Sequence, residues 1–330
     1  MSLPAWNQNQ NQKPNLHHAL FFGSDAELAD VAVPFLRAGL TQGDALVLVC
    51  DQPKNALLLD ALDIHDERIT CLERSSIYQH TAVAVDSYRR AIERLLRDGA
   101  GRVRLVGEVD FGETTATWAE WARFEAVVNV ALAPYPYWNV CAYDTRTLPE
   151  PILAAGLATH PNLLTAAGRT SNDRYEEPSA LLRRWAVHDP DPIEASDPAF
   201  AFALTHATQL SAVRDGVRAV LASAGVTYRM SSDLMIVVSE VAANGLVHGL
   251  PPVQVRVWAA PERLVATVTD RGDGIDDPLV GYVPANVDEP DRAGLGLWVA
   301  RLLCHHVQMS STPDGFTVRL TITTSDPVPR

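Results

Sequence analysis

Glu240 and Asn244 are the two residues of this chain whose spacing most directly indicates chemistry. They lie four positions apart in the run 239–249, and in a helix that spacing puts both side chains on one face, about 5 to 6 Å apart. The apolar positions fall on the opposite face: Leu234, Val238, Val241 and Ala242. An outward Asn can offer its carbonyl oxygen to Mg²⁺, and a carboxylate one turn earlier can accept the proton of a hydroxyl or water. Ordinary surface contacts by both side chains are the alternative.

Two glycine motifs follow further along the chain. Asp270, Gly272 and Gly274 form a D-x-G-x-G motif at the end of a strand pattern, and glycines that tolerate positive φ let the backbone come close to a ligand. The run Gly294-Leu295-Gly296-Leu297 precedes a predicted helix, whose free N–H groups can bind phosphate. Taken singly, the first motif is also typical of a hairpin turn and the second of a tight turn into a helix.

In this order the three motifs resemble the N, G1 and G2 boxes of the gyrase/Hsp90/histidine-kinase/MutL (GHKL) ATP-binding fold. Glu four residues before Asn, with His248-Gly249 at the helix end, is similar to the anti-sigma-factor serine/threonine kinases of that fold. The resemblance implies ATP and Mg²⁺ as cofactors, Asn244 as the metal ligand and Glu240 as the catalytic base. It implies phosphorylation of a serine on a STAS-type anti-sigma-factor antagonist, and leaves open whether a sigma factor also binds.

The same resemblance assigns the nucleotide contacts. It implies that Asp270 accepts a hydrogen bond from the exocyclic amine of adenine and that Thr317 supports this Asp through a hydrogen bond. The polar segment 277–293, which contains three prolines, is expected to be the mobile lid over ATP. The other nucleotide-binding positions that it implies are Gly272, Gly274, Gly294, Leu295, Gly296 and Leu297.

Two departures from the family pattern keep alternatives open. Gly245 stands where the family usually has Ala, which costs roughly 1 kcal/mol of helix stability and predicts weaker nucleotide binding or a looser helix end. The second glycine pair resembles histidine kinases as closely as anti-sigma kinases. A non-catalytic ATP-binding switch is therefore one alternative. A sensor histidine kinase is another, although the sequence lacks a His-Glu/Asp-x-x-x-Pro box.

The N-terminal half carries a second set of polar residues. They are Arg104-Leu105-Val106-Gly107-Glu108, Glu125 with Asn129, Cys141-Ala142-Tyr143-Asp144 and His160-Pro161. This pattern, from about 17 to 164, resembles the MEDS sensory domain of methanogen and methylotroph regulators. Glu108 and Asp144 each follow a predicted strand and would meet at the carboxyl edge of a parallel sheet, where such folds bind ligands. With Tyr143 they are the candidate sensory residues; polar groups that only fix loops are the alternative.

The elements that must position these residues form two predicted domains. Continuous apolar runs such as 45–50 alternate with amphipathic helices such as 82–98, which predicts a doubly wound α/β sheet over 16–170. An Asn/Gln-rich tail, 1–15, is expected to be disordered. A turn-rich and proline-rich stretch, 171–198, predicts a linker.

The C-terminal domain is predicted over 199–326. Two long helices, a short third helix and three alternating strands indicate an α/β sandwich with helices on one face of a mixed sheet. The resemblance implies that this sandwich is of the GHKL type. The second long helix is expected to begin behind residues 231–233, any of which could cap its amide groups. His248 is expected to be a structural helix-end residue, and His305-His306 a solvated helix end.

Composition limits the function classes. A net charge of -13 argues against nucleic acid as a direct partner, and no apolar stretch approaches the roughly 18 residues of a membrane span. The N-terminal tail lacks the features of a secretory signal. The four cysteines, of which none forms a C-x-x-C pair, disfavour a zinc site and a disulfide framework. We therefore expect a cytoplasmic two-domain regulator; whether it forms a homodimer is left open.

Overall fold

The computed structural model describes residues 16–64, 66–112, 115–186, 191–260, 263–282, 294–312 and 315–323. Their contacts divide the chain into two units, the first ending at Leu182 and the second beginning at Arg183. The predicted tail, 1–15, lies outside the described residues. The two units are taken in turn.

The first unit alternates strands with helices. Its elements are β1 (Leu16–Phe22), α1 (Asp25–Thr41), β2 (Ala45–Val49), α2 (Gln52–Leu62), β3 (Ile69–Cys71), α3 (Arg74–Ile77), α4 (Thr81–Arg97), β4 (Val103–Gly107), α5 (Thr115–Ala131), β5 (Tyr137–Asp144), α6 (Glu150–Thr159), β6 (Asn162–Thr165), β7 (Gly168–Ser171) and α7 (Pro178–Arg184). The helix α7 runs across the boundary between the two units.

The strands of this unit form one seven-stranded sheet in the order β3-β2-β4-β5-β1-β6-β7. Every neighbouring pair is parallel except β6 and β7, which form an antiparallel hairpin at one edge. All residues of β2 and β4 are buried, as expected for strands covered by helices on both faces. The predicted doubly wound α/β fold is confirmed, and it brings the carboxyl ends of β2, β4 and β5 to one edge.

The second unit contains five strands and three helices. Its elements are β8 (Phe200–Leu204), α8 (Leu210–Ala224), α9 (Tyr228–Val247), β9 (Val253–Ala260), β10 (Arg263–Asp270), α10 (Leu295–Leu303), β11 (His306–Thr312) and β12 (Gly315–Thr323). The sheet order is β11-β12-β10-β9-β8. The predicted α/β sandwich is confirmed, with one correction. The sheet is antiparallel in all its described pairs, not mixed, and its edges are β8 and β11, two strands that were not predicted.

One face of this sheet carries the core of the second unit. Every second residue of β9 and β10 belongs to this core, from Val253 to Val257 and from Leu264 to Val268. Apolar residues of α8, α9 and α10 complete the same cluster. The helices therefore cover one face of the sheet, as the strict alternation of the strands requires.

The predicted linker over 171–198 differs from the structure at its C-terminal end. The 3₁₀ turn Pro192–Ala195 lies against the second unit, because Glu194 pairs with the buried Arg319 and Asp191 lies 2.9 Å from Arg263. Trp258 also donates its indole N–H to the carbonyl of Ser196 at 2.9 Å. Residues 191–196 thus belong structurally to the second unit.

The helix α9 carries Glu240 and Asn244. It starts at Tyr228, and its N-cap is Thr227, whose hydroxyl accepts the backbone N–H of Met230 at 3.3 Å. Residues 231–233, predicted as the cap, instead lie inside the helix. Among the described helices, α9 is the one long and apolar enough to cross a membrane by composition. Its apolar face is part of the core, as in the central helix of a globular domain.

Thr227→Ala is expected to lower the free energy of unfolding of the second unit by about 1 kcal/mol, because the N–H of Met230 loses its side-chain acceptor. Urea unfolding followed by circular dichroism measures the change. Ser232→Ala is the matched control and should change the same free energy by less than about 0.5 kcal/mol. A larger decrease in the free energy of unfolding for Ser232→Ala than for Thr227→Ala would mean that the helix is capped at 231–233, as predicted, and not at Thr227.

Candidate functional site

Glu240 and Asn244 lie on the face of α9 that turns away from the core. Glu240 is exposed and Asn244 is half-buried, whereas Val238 and Ala242 on the opposite face are buried. The predicted separation of the two polar residues from the apolar face is therefore present in the structure. A carboxylate and an amide stand one helical turn apart at the surface of the sheet's helical layer.

The second glycine pair meets this face directly. Gly294 is the N-cap of α10 and has φ of 146°, a backbone conformation that L side chains rarely adopt. A Cβ on Gly296 would lie 2.7 Å from Nδ2 of Asn244 and 3.5 Å from Cβ of Glu240. Any side chain at position 296 would therefore displace Asn244. The structure therefore packs Gly296 against Asn244 and next to Glu240.

The start of α10 offers backbone donors at the same point. The carbonyl of Gly294 accepts the N–H of Trp298 at 2.8 Å, which is the first helical hydrogen bond, and no side chain caps the helix. The N–H groups of the first turn therefore have no partner within the helix, and such groups bind anions. In this turn Leu295 is 61% exposed and Leu297 is buried, so of these two predicted contacts only Leu295 is accessible from the surface.

Asp270 lies at the end of β10 and is buried. Its Oδ1 accepts the backbone N–H of Gly272 at 2.7 Å and that of Leu250 at 3.3 Å. A Cβ on Gly249 would lie 2.3 Å from Oδ1 of Asp270, and one on Gly272 would lie 2.8 Å away. The carboxylate is thus held by two backbone segments that have no side chains at the points of closest approach. This gives Gly249, which sequence reasoning treated only as part of the helix end, a role in holding Asp270.

The strand β12 contradicts the predicted hydrogen bond between Thr317 and Asp270. Thr317 stands directly opposite Thr269, and their hydroxyl oxygens are 2.8 Å apart. The residue opposite Asp270 is the buried Phe316. Because successive residues of a strand point to opposite faces, Thr317 shares a face with Thr269 and not with Asp270. The carboxylate is instead oriented by the backbone N–H groups of Gly272 and Leu250.

Gly274 has φ of 90°, and a Cβ there would lie 2.4 Å from the ring of Phe316. The turn after β10 therefore closes over an aromatic side chain. Of the predicted lid, 277–293, only residues 277–282 are described, and they form a turn in which Asp277 accepts the N–H of Leu279 at 3.0 Å. Residues 283–293 lie outside the described residues.

Gly245, the residue that departs from the family pattern, packs tightly against β9. A Cβ at this position would lie 3.1 and 3.2 Å from the two γ-carbons of Val253. The helix continues past Gly245 to Val247, and the N–H of His248 reaches the carbonyl of Asn244 at 2.8 Å. The backbone at Gly245 is therefore packed closely against Val253, and weaker nucleotide binding or a looser helix end stays a prediction. His248 is the exposed C-cap residue.

The sensory candidates lie in the first unit, and each has a structural partner. Glu108 pairs with Lys54 at 3.0 Å and with Arg74 at 3.2 Å. Burial opposes the charge of Lys54, but hydrogen bonds to Asp51 and Glu108 outweigh it and raise the pKa of this lysine. A small network of charges therefore occupies the carboxyl ends of β2 and β4.

Asp144 follows the same edge at the end of β5, where the hydrogen bond from Arg146 lowers its pKa. No hydrogen bond or ion pair joins Asp144 to Glu108 in the described part of the chain. Tyr143 is buried and stacks on Phe21, with ring centroids 5.0 Å apart. Lys54 pairs with Glu108, and its charge also contributes to the lowered pKa of Asp144, so a common ligand site for the three candidates stays a prediction.

Comparison with known proteins identifies two family models along the chain. Residues 16–161 match "MEthanogen/methylotroph, DcmR Sensory domain" (MEDS), and residues 202–322 match "Histidine kinase-like ATPase domain". The first stretch contains the sensory candidates, and the second contains the whole constellation around Glu240, Asn244 and Asp270.

Individual relatives agree with this division. The transcriptional repressor DcmR of Methylorubrum extorquens is 25% identical over 153 residues, which cover 44% of this chain and 57% of the repressor. The anti-sigma F factor of Pasteuria penetrans is 32% identical over 113 residues, covering 32% of this chain and 75% of that protein. The anti-sigma F factor of Thermoanaerobacter sp. is 28% identical over 118 residues, covering 34% of this chain and 82% of that protein. The chain thus spans just over half of the repressor and most of each anti-sigma F factor.

Asp270→Asn is expected to weaken ATP binding about tenfold or more, because an amide replaces the carboxylate that would accept from the exocyclic amine. Inosine triphosphate lacks that amine, so its already weaker binding should change by less than about threefold. Calorimetric titration with both nucleotides measures the difference. Equal losses for the two nucleotides would remove Asp270 from base recognition and leave it a structural role.

Proposed function

Because the chain belongs to the anti-sigma regulatory factors of the GHKL (histidine kinase-like ATPase) superfamily and carries a MEDS domain, we propose that it is an ATP-dependent protein serine/threonine kinase. Its substrate is an anti-sigma-factor antagonist of the STAS type, and its output is the control of a sigma factor. The observation that carries the proposal is the contact of Gly296 with Asn244 and Glu240. At that point free helix N–H groups, an amide and a carboxylate meet.

The residues present fit ATP and Mg²⁺. The absence of a side chain at Gly296 leaves the N-terminal turn of α10 open next to Asn244, and such a turn stabilises phosphate oxygens. The carbonyl oxygen of Asn244 is a hard ligand of the kind that Mg²⁺ takes alongside water molecules. Bound there, the ion would neutralise charge on the phosphates. Asp270, held by the N–H groups of Gly272 and Leu250, would bind the base.

Glu240 would serve as the proton acceptor of the transfer. The hydroxyl oxygen of the substrate serine forms a bond to the γ-phosphorus, and the bond from that phosphorus to the bridging oxygen breaks, which releases ADP. The hydroxyl proton passes to the carboxylate of Glu240, which is exposed and one turn from Asn244. Phosphoryl transfer depends mainly on positioning and charge stabilisation, so the glycine contacts should matter as much as the base.

The surface of the second unit supports a protein substrate. Of the seven large apolar side chains that are exposed among the described residues, six belong to this unit: Tyr228, Ile236, Val247, Leu250, Ile275 and Leu295. Val247, Leu250 and Leu295 flank the proposed nucleotide site in sequence. Exposed apolar side chains of this kind are common in surfaces that bind other proteins. The antagonist, a sigma factor and a second copy of the chain are the partners we propose for them, in the cytoplasm.

Two variants separate binding from catalysis. Asn244→Ala should reduce ATP affinity in the presence of Mg²⁺ at least about tenfold, because it removes the proposed metal ligand. Glu240→Gln should leave ATP affinity within about threefold and lower phosphorylation of a cognate antagonist at least about a hundredfold, because it removes the base. Calorimetric titration and a radiolabelled phosphoryl-transfer assay measure the two effects.

The controls decide between a kinase and a non-catalytic switch. Ser239→Ala, next to Glu240 and partly buried, should change neither the affinity nor the rate by more than about threefold. Two results together would favour the switch. The unaltered protein would bind ATP without measurable phosphorylation of the antagonist, and Glu240→Gln would keep the control of the sigma factor. Unchanged ATP affinity in Asn244→Ala would remove this residue from the site.

The first unit is proposed to sense a signal. A ligand of the first unit shifts the second unit only if it binds one state of the protein better, and ATP must then alter the affinity for that ligand by the same factor. The comparison is between the full chain and a fragment that begins at Arg183, which keeps the pairs of Glu194 with Arg319 and Asp191 with Arg263. We expect ATP affinity and phosphorylation rate to respond to cell-extract metabolites in the full chain alone. Identical behaviour of both proteins would make the first unit a docking module.

A further inference from the structure

Four buried side chains from four separate elements converge inside the first unit, beside the sensory candidate Tyr143, whose ring centroid lies 5.6 Å from that of His160. They are His17 of β1, Glu125 of α5, Cys141 of β5 and His160, which directly follows α6. None is more than 4% exposed. One donor atom from each lies within 4.8 Å of all the others. We call this group the His-Glu-Cys cluster.

The protons of the two imidazoles are fixed by groups outside the cluster. Nδ1 of His160 lies 2.7 Å from the carbonyl oxygen of Gly156, which can only accept, so this nitrogen carries the proton. Nδ1 of His17 lies 3.1 Å from Oδ1 of Asn129, whose amide nitrogen donates to the carbonyl of Thr159 at 2.8 Å. In each ring Nδ1 therefore faces an acceptor outside the cluster, and Nε2 faces the other three side chains.

The atoms that meet in the cluster are consequently almost all acceptors. Oε2 of Glu125 lies 3.2 Å from Nε2 of His17, 3.5 Å from Nε2 of His160 and 3.4 Å from Sγ of Cys141. The thiol of Cys141 supplies one proton, which satisfies one of these contacts. Nε2 of His160 and Oε1 of Glu125 make no hydrogen bond among the described residues. Buried acceptors without donors are costly. The buried hydroxyl of Tyr143 stands near Glu125 and can donate to one of them, whereas a cation would satisfy all of them.

Cys141 is held in the cluster by its own strand. Its Sγ accepts the side-chain amide N–H of Asn139 at 3.2 Å, two residues earlier on β5.

The separations match a four-coordinate site. In tetrahedral zinc sites the bonds to nitrogen, oxygen and sulfur are about 2.0 to 2.3 Å long, so neighbouring donors stand roughly 3.3 to 3.7 Å apart. Four distances in the cluster fall in or near this range. Nε2 of His17 lies 3.2 Å from Oε2 of Glu125 and 3.3 Å from Sγ of Cys141. Oε2 of Glu125 lies 3.4 Å from Sγ of Cys141 and 3.5 Å from Nε2 of His160. We propose that His17, Glu125, Cys141 and His160 bind one zinc ion.

The donor chemistry selects the ion. Two imidazoles and a thiolate are ligands of zinc and other d-block ions, whereas Mg²⁺ and Ca²⁺ require oxygen donors. The carbonyl of Gly156 and the amide of Asn129 complete the arrangement by orienting the imidazole rings, as the outer partners of metal-bound histidines do. Cys-x-x-Cys spacing, whose absence counted against zinc in the sequence, applies to ligands on one loop and not to ligands drawn from four elements.

The site would tie the helical layer to the sheet of the first unit. His17 and Cys141 stand on the adjacent strands β1 and β5, with Glu125 on α5 and His160 at the end of α6. All four ligands come from the protein, so the site is closed and structural in character. The proposal is independent of the nucleotide site, whose residues all lie in the second unit.

The test uses the full chain, without a metal-binding tag, after removal of metals by a chelator. Zinc should bind with one equivalent per chain and a dissociation constant below about 0.1 μM. Cobalt(II) in its place should give an intense thiolate-to-metal absorption band and the visible bands of a tetrahedral ion. Removal of the zinc should lower the Tm of the first unit by at least about 5 °C. A chain that binds no zinc and gives no thiolate–cobalt band overturns the proposal and leaves a hydrogen-bonded cluster.

Variants locate the ion. Glu125→Gln replaces a carboxylate by an amide that can donate to His160, so it should fold, and it should weaken zinc binding at least about a hundredfold. Cys141→Ser should abolish the thiolate–cobalt band. Cys50→Ser is the matched control, since Cys50 is also a buried cysteine, with its sulfur 3.8 Å from the carbonyl of Val106. Unaltered zinc affinity in Glu125→Gln, or loss of the band in Cys50→Ser but not in Cys141→Ser, contradicts the assignment.

Discussion

The proposed nucleotide site depends on backbone approaching two polar side chains so closely that a Cβ would overlap them. Gly296 touches the amide of Asn244, and Gly249 touches the carboxylate of Asp270. The first contact joins the helix that supplies the amide to the helix that supplies free N–H groups. The second fixes the carboxylate at the end of its strand. At the end of the site proposed for phosphate and at the end proposed for the base, the close packing therefore requires a glycine, which has no side chain.

This constraint explains why the surrounding elements must be rigid. Backbone packed so closely against a side chain that a Cβ would overlap it tolerates little displacement. The helix α9 supplies the rigidity because its apolar face is fixed in the core, and Gly245 brings its last turns close to Val253 on β9. The antiparallel sheet holds Asp270 in register with Phe316. The polar face of α9 can then carry Glu240 and Asn244 without replacing any apolar residue of the core.

Much of the fold could be predicted because its signals are local. The continuous apolar run of β2 and the alternation of β9 and β10 each follow from one short stretch of sequence. No helix was predicted over Thr115–Ala131, because its apolar and aromatic residues are spread around the whole helix. Thr227 could not be distinguished from the serines that follow it as a cap, since all have the same donor and acceptor groups.

The candidate site shows the same limit more sharply. The order of the motifs predicts which residues of α9, β10 and α10 come together, and their roles stay predictions. Strand register decides the rest: the pairing of Thr317 with Thr269, not with Asp270, depends on one residue of offset between β10 and β12. The His-Glu-Cys cluster joins residues up to 143 positions apart, from 17 to 160, and no local pattern connects them. The edge strands β8 and β11 were missed. All five residues of β8 are apolar, and the alternation of β11 covers only His306 to Ser310.

Residues 191–196 bear on how such a chain is assembled by gene fusion. Their attachment to Arg319, Arg263 and Trp258 makes them part of the ATPase module even though they precede its first strand. A recombination event that joined a different sensory module at Phe200 would leave the buried guanidinium of Arg319 without its carboxylate. A fusion point that preserves both modules lies before Asp191. The segment that must be transferred as one piece is therefore longer than residues 202–322, the stretch that matches other ATPase domains.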